Sequence, residues 1–289
     1  MIRSTTGKHF FALQAQLGEG PVWDHGHGCL WCVDIAACTI HRINFRTENH
    51  SSWQTPGKIG WIYPTGPGQL LVGLAKGIYQ FWTDECRFEL IQLVEAELPD
   101  NRINDGTIGP DGAVWFGTMD DHETAATGRF YRFNGSALSD CGLPAIPITN
   151  GPAVSPDGRL LYTVDTLARE IWVHSISVSG NIESSSIFAV TAKDRGFPDG
   201  ITCDSEGGLW VGYWGGWLAR RYDPAAHITD EVSFPVPNIT KIALGGPDGL
   251  TGFATTARKG VGSDILSKHP SSGDIFTFNL TVPAALYMG

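Results

Sequence analysis

The sequence predicts an all-β chain folded as one six-bladed β-propeller spanning residues 1–289. Three observations lead there. Glycine supplies 36 of the 289 residues and proline 17, a composition that favours many turns and short elements. No window of 11 or more residues carries the 3.6-residue apolar period of a helix. A turn followed by an apolar strand recurs six times at a mean interval of about 44 residues, the repeat length of a propeller blade.

The repeats follow in order along the chain. They read HGHGCLWCVDI at 25–35, GPGQLLVGLAK at 66–76 and GPDGAVWFGTM at 109–119. SPDGRLLYTVD at 155–165, SEGGLWVGYW at 205–214 and GGPDGLTGFATTA at 245–257 complete the set. Pro-Asp-Gly at 110–112, 156–158 and 247–249 supplies the turn chemistry of tight hairpins. The strands are rich in Val, Leu, Ile, Trp, Phe and Tyr, as pleated, half-buried surfaces prefer. Trp31, Trp115 and Trp210 recur at matching blade positions and are expected in the core. A blade cannot bury its faces alone, so the array must close into a ring. Strands at His9–Gln16 and Asp274–Leu280 are expected to complete the last blade.

Composition bounds the function. Thirty acidic residues against 20 basic ones give a formal charge of −10, the wrong sign for a nucleic-acid partner. No stretch reaches the roughly 18 apolar residues of a membrane span. The start, MIRSTTGKHFFALQAQ, lacks the apolar core of a secretory signal, and a cytoplasmic location is expected. Cys29 and Cys32 form a lone CxxC on an apolar strand. Residues i and i+3 of a strand face opposite sides, so buried thiols are expected rather than a chelate.

The register of the repeats points to the hub. Six residues before each hairpin stand Glu19, Trp61, Asn104, Asn150, Asp199 and Thr240. The first strand of a blade lies nearest the central channel, so these positions should ring one of its mouths. Asn-Gly and Asp-Gly are ordinary turn dipeptides, but four oxygen donors at six equivalent positions favour a site. Two carboxylates and two amides suit a hard or borderline divalent cation such as Ca²⁺, Mg²⁺ or Mn²⁺. Zinc and iron are less well served without His or Cys, although carboxylates can bind them. Trp61 and Trp214 are expected to crowd the channel mouth. The acidic stretch Asp120-Asp121-His122-Glu123 reads either as a cover over substrate or as a solvated loop.

Six segments together resemble one family: LGEGPVW (17–23), NRINDGTIGPDG (101–112), WFGTMD (115–120), TNGPAVSPDG (149–158), FPDGITCDSEGGLWVGYW (197–214) and ATTARKG (254–260). In this order they are similar to the gluconolactonase/regucalcin family, the senescence-marker-protein lactonases. The resemblance implies a six-bladed propeller with one divalent metal in its channel, hydrolysing sugar lactones. It implies metal ligands at Glu19, Asn150 and Asp199, and substrate contacts at Arg102, Asn104 and the lid-side Asp120. Asp199 would also be the general base, with the metal polarising the lactone carbonyl. Asn150 is followed by Gly-Pro where many relatives have Gly-Leu or Gly-Ile, which leaves the ligand intact. Two other readings are compatible with the residues. One is a propeller that hydrolyses organophosphates or aryl esters, usually with a second metal deep in the channel. The other is a non-enzymatic divalent-metal-binding propeller.

Overall fold

The computed structural model describes residues 1–285. Six antiparallel sheets follow one another along the chain as the blades of a β-propeller. Their inner strands are Gly18–Asp24, Ile59–Gly66, Asn101–Ile108, Thr149–Val154, Phe197–Cys203 and Ile239–Gly245. In every blade the turn read from sequence is the hairpin between the first and second strands. One short helix, Ser263–Lys268, lies outside the blades. Among the described residues no helix is long and apolar enough to cross a membrane.

The chain start closes the ring, but not as the sequence suggested. Lys8–Phe11 pairs antiparallel with Ile275–Asn279 and becomes the outer strand of blade 6. The expected strand His9–Gln16 is thus shorter and begins one residue earlier. The chain turns after Phe11, with Gln14 at φ 58°, where the Asp274 carboxylate accepts the Gln14 N–H at 3.0 Å. Asp274 therefore holds a turn instead of starting the last strand. A further strand that the sequence did not reveal, Arg3–Thr6, runs parallel to Ile228–Ser233 and adds a fifth strand to blade 5.

The core lies between neighbouring blades. Trp31, Val33, Ile62, Val72 and Phe81 pack between blades 1 and 2; Trp210, Ile239, Ile242, Ala254 and Phe276 pack between blades 5 and 6. Trp31, Trp115 and Trp210 are all buried. Trp61 joins them and does not crowd the channel mouth. It packs with Ile103 and Phe116 of the next blade. Two glycines make the space: a Cβ on Gly73 would stand 2.3 Å from Trp61 Nε1, and one on Gly106 would stand 2.7 Å from Trp61 Cδ1. All six cysteines are free thiols, with Cys29 and Cys32 buried.

Trp61→Ala should therefore lower stability by about 3–5 kcal/mol, the range for emptying a buried aromatic site. Urea denaturation of the ion-loaded protein measures this. A loss below about 1 kcal/mol would show that Trp61 is not a core wedge.

Candidate functional site

Each inner strand breaks its ladder at the hub. The register shifts between Glu19 and Val22, Ile59 and Trp61, Ile103 and Gly106, Asn150 and Ala153, Pro198 and Ile201, and Ile239 and Ile242. Such bulges re-aim side chains and suspend the strict in–out alternation of a strand. The six ring positions are consequently staggered. Glu19 and Asn150 are the last paired residues before the shift. Asn104, Asp199 and Thr240 fall within it. Thr240 faces the structure, giving its hydroxyl proton to the Gly18 carbonyl at 2.6 Å and so tying blade 6 to blade 1.

Glu19, Arg102, Asn104, Asn150 and Asp199 line one cavity of about 370 Å³, with Trp214, Glu123 and Lys259 nearby. A directed chain of hydrogen bonds orients the amides. Arg102 Nη1 donates to Asn104 Oδ1 at 2.7 Å, and Asn104 Nδ2 donates to Asn150 Oδ1 at 2.9 Å. Asn150 Nδ2 donates to Thr166 Oγ1 at 2.9 Å, and Thr166 donates to the Pro198 carbonyl at 3.0 Å. This run crosses blades 3, 4 and 5 and fixes the Asn150 oxygen toward the hub. Arg102 is held from behind by Asp121, whose Oδ1 accepts from Nε at 2.9 Å. Lys58 grips the same carboxylate at 2.6 Å.

Glu19 and Asp199 are the unusual pair. Both are buried, and among the described residues neither forms an ion pair. Burial, then the charge of Asp105, pushes the Glu19 carboxyl up to about 8. Burial, then the charges of Glu19 and Asp105, raises Asp199 well above the ordinary carboxylate range. Glu19 Oε2 accepts only the Gly20 N–H, at 2.9 Å. Two facing carboxylates that resist ionisation want a cation between them. Among the described residues no three His, Cys, Asp or Glu side chains form a metal-binding group; the amide oxygen of Asn150 lines the same cavity and would be available as a further oxygen donor. That all-oxygen set fits a hard divalent ion.

The expected substrate contact at Asp120 is not in this cluster. Its carboxylate accepts N–H groups from His122, Thr124 and Ala125 at 3.1, 2.9 and 2.7 Å, and the Thr124 hydroxyl at 3.0 Å. Those donors hold it well below the usual carboxylate range and spend it on folding the loop. Glu123 is the member of that acidic stretch that reaches the cavity, where it pairs with Lys259 at 2.7 Å. Sequence reading also missed Asp105 and Lys241, a buried ion pair of 2.6 Å at the hub. Each directly follows a ring position, so strict alternation would have turned it away from the channel. The bulges remove that alternation.

A family model described as the SMP-30/gluconolactonase/LRE-like region matches residues 17–258. The chain belongs to this family. Among its SMP-30/gluconolactonase relatives, an L-arabinolactonase from Azospirillum brasilense is 36% identical over 264 residues, covering 90% of this chain and 87% of that protein. A 6-deoxy-6-sulfogluconolactonase from Pseudomonas putida is 28% identical, covering 92% of both. The solved structure of a calcium-binding protein, regucalcin, from Agrobacterium tumefaciens superposes with a TM-score of 0.93 at 25% identity. That match covers 100% of this chain and 99% of the other.

The raised carboxyls fix a pH dependence. Folded Glu19 keeps its proton up to about pH 8, whereas an unfolded one releases it near its ordinary value of 4.5. The folded state therefore binds more protons between those values, and stability of the ion-free protein falls as pH rises through them. Thermal melts of chelated protein should show a falling Tm from about pH 5 to about pH 8.5, with a flatter profile in Glu19→Gln. A wild-type Tm that rises across this window, or an unchanged slope in the variant, would contradict the burial of an unpaired carboxyl.

Proposed function

We propose that this chain hydrolyses the cyclic ester of a sugar acid, an aldono-1,4- or 1,5-lactone, to the open aldonic acid. The observation that carries the reading is the pair Glu19 and Asp199, buried in one cavity beside Asn150 with no cationic side chain bonded to either. The lactonase names of the relatives at 36% and 28% identity support the substrate class. The 36% relative makes L-arabinono-1,4-lactone the first substrate to assay.

A divalent ion held by Glu19, Asp199 and the Asn150 oxygen would supply Lewis-acid stabilisation of the charge developing on the lactone carbonyl oxygen, an effect of several kcal/mol. The chain supplies the rest. Asp199 takes a proton from the attacking water through the oxygen left free of the ion; coordination would keep this carboxylate ionised but lower its basicity, and the ion would compensate by acidifying the water. Water adds to the carbonyl carbon, the bond from that carbon to the ring oxygen breaks, the ring oxygen receives the proton from Asp199 and leaves as a hydroxyl, and the carboxylic acid formed then ionises and releases a proton. Arg102 and Asn104, already locked to each other at 2.7 Å, hold hydroxyls or the ring ester of the sugar. A prealigned polar pair of this kind lowers the ordering cost of binding.

Proton release on adding L-arabinono-1,4-lactone reads the reaction directly. Asp199→Asn should lower kcat by about 10²–10⁴-fold, the range for losing a positioned base. Asn104→Ala should act mainly on KM. Chelation should abolish turnover and one equivalent of Mn²⁺ or Ca²⁺ should restore it. Full activity after exhaustive chelation would remove the metal from the scheme, and faster turnover of a phosphotriester than of any lactone would assign the site to the other ester chemistry.

A further inference from the structure

Lys241 lies in the bulge of the blade 6 inner strand and is buried. Its stem runs over Gly200 of blade 5, where a Cβ would stand 2.6 Å from the Lys241 Cβ. Its Nζ donates to Asp105 Oδ1 at 2.6 Å and to the Gly106 carbonyl at 3.0 Å. Asp105 and Gly106 belong to blade 3, and blades 3 and 6 stand opposite each other in a ring of six. The side chain thus spans the hub. On one side is the cavity of Glu19 and Asp199. On the other is a cavity of about 710 Å³, which Lys241 lines with Trp23, Trp61, Ile62 and Ile108.

The charges at the hub can be weighed against one another. Glu19, Asp105 and Asp199 are three buried carboxylates, and Lys241 is the ammonium bonded to one of them. Arg102 also faces Glu19, but its charge is matched by Asp121 at 2.9 Å. Asp105 Oδ2 is buried and makes no hydrogen bond of good geometry, so Asp105 has spare capacity for a cation. With all three carboxylates ionised, as a bound cation would require, and Lys241 in place, these four groups would carry three negative charges against one positive, a net −2 and the complement of one divalent ion.

We propose that Lys241 is a tethered counter-ion: its ammonium fills the place beside Asp105 that a second metal ion would otherwise take, and limits the channel to one divalent cation at Glu19, Asn150 and Asp199. The proposal rests on the metal reading above. Removing one partner of a buried ion pair leaves the other charge uncompensated, and a mobile cation can supply what the lysine did.

The test counts ions. Chelated protein is equilibrated with Mn²⁺, freed of unbound metal and measured by elemental analysis, with paramagnetic resonance to detect coupling between adjacent ions. Wild type should hold one Mn²⁺, Lys241→Ser two coupled ions, and the double variant Lys241→Ser/Asp105→Asn one. A single ion in Lys241→Ser, two ions in wild type, or two in the double variant would overturn the proposal. No ion in wild type would sink the metal reading itself, which keeps the two failures apart. Should Lys241→Ser not fold, Lys241→Gln preserves the volume and removes the charge. It should bind the first Mn²⁺ about tenfold more tightly, because a nearby like charge is gone, and an unchanged Kd would also overturn the proposal.

Discussion

Two carboxylates buried in one cavity, neither of them bonded to a cationic side chain among the described residues, are the constraint around which the hub is organised. Taking such groups out of water is unfavourable unless charge or hydrogen bonds replace the solvent. The structure meets that demand in layers. Arg102 is turned toward Glu19 by Asp121, and Lys58 braces Asp121 in turn. The amide run from Arg102 to Pro198 holds the Asn150 oxygen on the cavity side. A cage of this kind is preorganised: little has to move when a cation and an ester arrive, and such preorganisation is where much of catalytic electrostatics originates.

The blades were legible because their signals are local. Asp-Gly turns, alternating apolar strands and a repeat near 44 residues each follow from short-range geometry. Glu19, Arg102, Asn104, Asn150 and Asp199 could be found because the repeats carry them to the same end of the channel. What sequence reading lost was set by breaks in regularity. A two-residue period along the inner strands would turn the residue after each ring position away from the channel, and the bulges suspend that period at Asn104-Asp105 and Thr240-Lys241. Lys241 in particular finds its partner 136 positions away in sequence, a pairing no local pattern announces. Trp61 was misplaced for a related reason: the glycines that admit it, Gly73 and Gly106, sit on other strands. Asp120 was expected to contact substrate, while in the structure its carboxylate accepts from donors in the five residues after it.

The mouth of the cavity is bounded by charge as well as shape. Glu123 and Lys259 reach it from blades 3 and 6 and meet there. Both are close to half exposed, so the pair is solvent-screened and contributes little to stability. Its position matters more than its strength, since the polar groups of a substrate entering the cavity must pass or replace it. Trp214 lines the same cavity.

The chain start has a consequence for biosynthesis. Arg3–Thr6 and Lys8–Phe11 are made well before their partners in Ile228–Ser233 and Ile275–Asn279. During translation these early strands wait, unpaired, until the strands of blades 5 and 6 have emerged. Blades 1 to 4 can form as they appear, because their strands are neighbours in sequence; the seam cannot. Docking of residues 3–11 therefore comes after blades 1 to 4 have formed, and a nascent chain stalled before its partner strands emerge would leave those sheet edges open to its surroundings.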